Sequence, residues 1–122
     1  VFIFLFFLFK MKPALLDTNF ILTCIKQKID FFEELEFMGL KILIPEEVID
    51  ELKKLKQSSA LKLLEKNNFS KINLAGKNVD NSIINYSKKN PEILVATLDR
   101  ELQKKLKNRK IIIRGKKKLE II

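Results

Sequence analysis

Apolar residues follow two rhythms along this chain, and the rhythms take turns. Short unbroken runs occur at "ALL" (Ala14 to Leu16), "LKILIP" (Leu40 to Pro45), "EILVAT" (Glu92 to Thr97), "KIIIRG" (Lys110 to Gly115) and "LEII" (Leu119 to Ile122). Such runs predict strands, and the first three have the continuous apolar character of strands buried on both faces. Between them lie stretches with apolar residues three and four apart: "DTNFILTCIKQ", "IDFFEELEFMG", "PEEVIDELKKLKQ", "SSALKLLEKNN", "VDNSIINYSKKN" and "DRELQKKLKN". These predict helices, with Asp, Thr, Asn, Ser or Pro at their starts and Gly39 or Pro91 after their ends. "FSKINLAG" reads as a short strand or an extended connection. Strands that alternate with helices predict a three-layer α/β/α fold with a central, mainly parallel sheet.

Four carboxylates break the pattern. Asp17 and Asp99 each follow an apolar strand at its carboxyl end, where open sheets of this class bind ligands. In "VIDELKKL" the apolar arc is Val48, Ile49, Leu52 and Leu55, and Glu51 falls roughly 40° from Leu55, at the edge of that arc. In "VDNSIINYS" Asp80 projects between Ile83 and Ile84, which predicts an inward direction. Each acid also has a plainer reading. Asp17, Asp80 and Asp99 are good N-caps, worth about 1 kcal/mol apiece, and Glu51 has Lys54 one turn along. Crowding several like charges near one sheet edge is costly unless a cation intervenes. Mg²⁺ or Mn²⁺ would resolve the conflict, since hard ions take oxygen ligands and need no histidine.

Composition narrows the chemistry. The chain has 122 residues, 47% of them hydrophobic, which suits a single packed domain. It contains no histidine, which excludes Ser-His-Asp and Cys-His sites and paired-imidazole ribonuclease chemistry. Cys24 is the only cysteine, so no internal disulfide or cysteine-based zinc site exists, and a reduced, cytoplasmic setting is expected. The formal charge is +9, with Lys104, Lys105, Lys107, Arg109, Lys110, Arg114, Lys116, Lys117 and Lys118 unbroken by any acid. That stripe suits a polyanion, nucleic acid first and an anionic membrane surface second, or is simply a solvated lysine-rich face. The opening "VFIFLFFLF" would span roughly 14 Å as a helix, too little to cross a bilayer. Residues 1–10 are read as an apolar extension ahead of a domain at 11–122, with Met11 as a candidate start; a weak anchor or a buried strand are the other readings.

"LLDTNFIL", "IPEEVIDEL", "NVDNSII" and "VATLDRELQKKL", in that order, resemble the four acidic motifs of the PIN-domain nuclease family. The resemblance runs from about Met11 to Ile122 and is nearest to the archaeal-type, pre-rRNA-processing branch, with VapC-type toxins beside it. It implies a PIN-like fold and a metal-dependent endoribonuclease that leaves 5′-phosphate and 3′-hydroxyl ends. It assigns metal-binding and catalytic roles to Asp17, Glu51, Asp80 and Asp99, and supporting roles to Thr18, Asn19 and Thr97. Many relatives carry a second acid beside the third one, where this chain has Asn81. RNA backbone contacts are expected from Lys104, Lys105, Arg109, Arg114, Lys116 and Lys117. The expected partners are RNA, an rRNA precursor first, with pre-ribosomal proteins or an antitoxin, a second copy of the chain, and no stable membrane partner. A silent RNA-binding module with the same fold is the rival class.

Overall fold

Side chains on β1 (Lys12–Leu16) decide the layers. Ala14 and Leu16 point to one face of the sheet and Leu15 to the other, and all three are fully buried. The computed structural model describes residues 11–115 and 117–122. After β1 come α1 (Thr18–Lys26), α2 (Phe31–Phe37), β2 (Leu40–Pro45), α3 (Glu46–Lys54), α4 (Ser58–Glu65) and β3 (Ser70–Ile72). The second half runs α5 (Val79–Lys89), β4 (Leu94–Ala96), α6 (Arg100–Lys105), β5 (Lys110–Arg114) and β6 (Lys118–Ile121). Every strand and helix expected from the apolar rhythm from Met11 onward is present. The apolar prefix expected at residues 1–10 lies outside the described residues.

The strands form a six-stranded sheet in the order β3-β2-β1-β4-β5-β6. All neighbours are parallel except β5 and β6, which pair antiparallel at the edge. This is the mainly parallel α/β arrangement that the alternation of strands and helices predicts. One face carries Ala14, Leu16, Ile42, Ile44 and Ala96 against Phe20, Phe31, Phe32, Leu35, Val48 and Leu52 of the helices. The other carries Leu15, Leu43 and Val95 against Ile83, Leu102 and Leu106. Burial on both faces explains why the strands read as unbroken apolar runs rather than as alternating ones.

The order of strands reverses between β1 and β4. From β1 the chain steps outward to β2 and β3, then returns to place β4 on the other side of β1. The segments that leave these two strands therefore diverge to opposite faces and open a crevice at their carboxyl ends. Asp17 N donates to the Ala96 carbonyl at 3.0 Å, so the last hydrogen bond of the β1–β4 pair lies at the crevice itself. Among the described residues, no helix is long and apolar enough to cross a membrane.

Candidate active site at the carboxyl end of the sheet

Asp17 is buried with both carboxylate oxygens engaged. Oδ1 accepts from Thr18 N at 2.8 Å, as the cap of α1, and Oδ2 accepts from the Thr97 hydroxyl at 2.9 Å. Thr97 is fully buried, and its Oγ1 in turn accepts from Asp99 N at 3.2 Å. Asp99 caps α6, its Oδ1 accepting from Glu101 N and Leu102 N. Thus the capping and inward-facing readings of Asp17 and Asp99 are not alternatives. A cap at the carboxyl end of a strand points its carboxylate into the crevice by construction.

The loop after β4 is fixed from three sides. Leu98 N donates to Asn19 Oδ1 at 3.3 Å, Gln103 Nε2 donates to the Thr97 carbonyl at 2.7 Å, and Thr97 itself ties the loop to Asp17. Gln103 was not anticipated from the sequence. Its signal was available only as a polar residue on the first full turn after the T-x-D segment.

Glu51 is half-buried and accepts from the Thr18 hydroxyl at 3.1 Å, across the gap between α1 and α3. The alternative pairing with Lys54 is not made. Asp80 is a correction. It is exposed, and the cap of α5 is Asn78, whose side chain accepts from Asn81 N. The wheel placed Asp80 on the side of the pocket, but it lies in the first turn of the helix, where the core does not cover it. Gly76 lies so close to Ser82 that a Cβ would fall onto its hydroxyl, so bare backbone lets the preceding loop close against this turn.

Asp17, Thr18, Asn19, Glu51, Asp80 and Asp99, with Leu22, Leu55 and Val79, line one open pocket of about 190 Å³. Burial is the main reason the Asp17 carboxyl is pushed above its ordinary 3.8. The bonds from Thr97 and Thr18 oppose the rise, and the charges of Asp80 and Glu51 add to it. Asp17 thus senses two other carboxylates through the pocket, while no lysine or arginine pairs with it among the described residues. The donors are hard oxygens, as Mg²⁺ or Mn²⁺ requires. No three of them among the described residues are close enough to form a ready chelate. An ion held by this set would have to keep several of its waters.

The basic stripe does not form one face. Arg109 lines a hollow at the amino end of the sheet together with Lys12, Leu40 and Leu94. Lys104 and Lys105 lie in the last turn of α6, Lys104 pairing loosely with Glu101. Arg114 is held by Glu120 across the β5–β6 pair at 2.7 Å, and Lys117 lies in the turn that follows. Lys116 lies outside the described residues. The split follows from topology, because β5 carries the chain from one end of the sheet to the other in five residues. Cys24 is a core residue: burial pushes its thiol up to about 12, so it has no share in the chemistry.

Comparison with known proteins agrees with this geometry. The profile of a family described as "PIN like domain" matches residues 14–116. Ribonuclease VapC4 of Methanocaldococcus jannaschii is 33% identical, over 93% of this chain and 97% of its own. A solved structure of the PIN domain endonuclease Utp24 superposes with a TM-score of 0.79 at 27% identity, over 89% of this chain and 90% of that one.

Proposed function

The chain belongs to the PIN-like domain family, and from that premise we propose that it is an endoribonuclease that hydrolyses RNA with Mg²⁺ or Mn²⁺ held by Asp17, Glu51, Asp80 and Asp99. One observation carries the reading. Asp17 is a buried carboxylate facing two further acids, with no cationic side chain to offset its loss of water among the described residues. A structural cap has no need of that environment, whereas a cation site does.

When bound, the ion supplies a water acidic enough to yield hydroxide near neutral pH and a positive charge beside the phosphate. The protein's own groups hold the geometry. Thr97 fixes the rotamer of Asp17 and the backbone of Asp99 at once, Thr18 fixes Glu51, and Asn19 holds the loop between Thr97 and Asp99. Asp80, exposed in the first turn of α5, faces the open side of the pocket, from which a strand of RNA would approach. Arg114 at the carboxyl end of β5 and Lys117 in the turn after it give the phosphate backbone affinity without sequence readout.

The resemblance of "VATLDRELQKKLKNRKIIIRGKKKLEI" to the archaeal-type processing branch supports an rRNA precursor as the substrate and pre-ribosomal proteins as partners. The near full-length relative named Ribonuclease VapC4 favours a second reading, a toxin with an antitoxin partner and a dimeric state. Growth arrest on expression, relieved by a neighbouring gene, selects the toxin; harmless expression and co-sedimentation with pre-ribosomes select the processing factor. The nuclease itself is tested with Asp17→Asn, Asp80→Asn and Asp99→Asn on a labelled RNA with Mg²⁺ or Mn²⁺. Each is expected to cut more than about 100-fold more slowly, since even the groups behind metal ligands are worth 10–100-fold. Parent rates in all three would end the assignment, and a parent that binds RNA without cutting it under any metal would establish the silent module.

A further inference from the structure

A second concavity lies apart from the carboxylates, between the carboxyl end of α1 and the β5–β6 turn. It measures about 420 Å³ and is lined by Lys26, Gln27, Lys28, Gly115 and Lys117. Three of these side chains are cationic and none is acidic. Lys26, Lys28 and Lys117 are all exposed, and among the described residues none of them forms an ion pair. Lys26 and Lys28 belong to the first helix and its closing turn, far in sequence from the basic carboxyl-terminal run, yet the fold brings them to Lys117.

The backbone holds this arrangement in place. α1 closes through bonds from Lys28 N to the Ile25 carbonyl and from Ile29 N to the Cys24 carbonyl, with Lys28 in the left-handed region at φ 59° and Ile29 buried beneath it. This is a helix closure in which the chain reverses and its first outward side chain is Lys28. Across the cleft, Gly115 and Lys117 have φ of 60° and 66°, which turns the hairpin between β5 and β6. Ile111 is level with Ala96, so β5 runs three residues, about 10 Å, beyond the end of β4 before that turn. The hairpin therefore overhangs the carboxyl side of the sheet and faces the end of α1. Asp17 caps the start of α1 and the cleft lies at its other end, so the nine residues of the helix put about 14 Å of axis between the carboxylate pocket and the cleft.

Three like charges around one space repel each other and are relieved by a polyanion. Lysines present point charges that follow a flexible phosphate chain, without the planar fork that arginine would offer to one fixed phosphate. We propose that this cleft holds the phosphate backbone of the RNA strand a few nucleotides from the bond to be cut, with Lys26, Lys28 and Lys117 as its contacts. It rests on the ribonuclease reading above and adds two residues from the first helix to the substrate path.

The test is binding of a labelled single-stranded RNA to the full chain carrying Asp17→Asn, without added metal, between about 50 and 200 mM salt. Adding Lys26→Glu, Lys28→Glu and Lys117→Glu together is expected to weaken binding at least about tenfold and to flatten the log–log salt slope by about 2, from three lost contacts at roughly 0.7 each. Lys62→Glu, Lys66→Glu and Lys71→Glu together change net charge equally on the β3 side of the molecule and are expected to leave the slope near its starting value. Equal slopes for the cleft variant and its parent, or equal losses in both triple variants, would overturn the cleft. So would a parent that binds no RNA. Cleavage by the unsubstituted chain with Mn²⁺ is measured beside it: if it cuts nothing while the slope still falls as expected, the cleft stands and the nuclease assignment fails.

Discussion

The two ends of the sheet are built on opposite principles. At the carboxyl end, a pocket of only about 190 Å³ gathers four carboxylates, two threonines' worth of hydroxyl bonds and an asparagine. At the amino end, hollows of about 500 and 740 Å³ open around Met11 and Leu40, lined largely by apolar groups that include Phe37, Met38, Ile93 and Phe69. The larger space holds less chemistry. What singles out the smaller pocket is the reversal of strand order beside it, which brings loops from distant parts of the chain to one point, and the charge their side chains retain there. The amino end is instead tied together by one buried amide. Asn108 is buried and its amide donates to the carbonyls of Ser87, Asn90 and Ile93, which ties the exit of α5, the entry to β4 and the segment before β5 together.

Substitutions can break this contrast or sharpen it. After the carboxylates themselves, the largest effect is expected at Thr97→Val, which keeps the shape but removes the hydroxyl that joins Asp17 to the Asp99 backbone. Single-turnover cleavage should fall about 10–100-fold, whereas Arg109→Ala at the other end should leave the single-turnover rate at saturating RNA within about twofold. Equal losses would mean that the two ends are not functionally distinct. Next comes Asn108→Leu, which strands carbonyls at the amino end. Urea unfolding should show about 2–3 kcal/mol less stability, with the single-turnover rate of the folded protein retained.

The third difference is in pH. Because burial raises the folded-state pKa of Asp17, the native chain binds more protons than the unfolded one just above 3.8, so without metal its contribution to stability falls as pH rises through that window. Asp17→Asn should flatten this slope, and Mn²⁺ should raise the melting temperature of the parent more than that of the variant. The smallest effect belongs to Phe37→Ser. Phe37 is 92% exposed, so stability should move by less than about 0.5 kcal/mol in the same unfolding assay, and cleavage not at all.

Much of this was legible in the order of apolar runs. Buried parallel strands announce themselves because both faces are covered, and Asp17 and Asp99 were conspicuous because polar residues directly after such strands have few places to go. What the sequence concealed was set by distance in space. The exposure of Asp80 depends on its place in the first turn of α5, ahead of the packed part of the helix at Ser82 and Ile83, which no helical wheel records. The division of the basic stripe depends on β5 crossing the whole sheet, so neighbours in sequence become residents of opposite ends. Asn108, inside that stripe, looked like one more polar residue in a charged run and is a buried clamp. Likewise the pairing of Glu51 with Thr18, rather than with Lys54, follows from the approach of α1 to α3. The resemblance to PIN nucleases singled out Asp17, Glu51, Asp80 and Asp99, and the fold places all four on the lining of one pocket, while their spacing around it is a property of the folded chain.

Thr97 has a single proton to give. While Asp17 is ionised, that proton is committed to Oδ2, which leaves the hydroxyl's lone pairs to receive the amide of Asp99. A protonated Asp17 would become a donor instead, and the second lone pair of the same hydroxyl can receive it while the first keeps the amide of Asp99. One buried hydroxyl thus holds the rotamer of one acid and the backbone of another 82 positions along in either charge state.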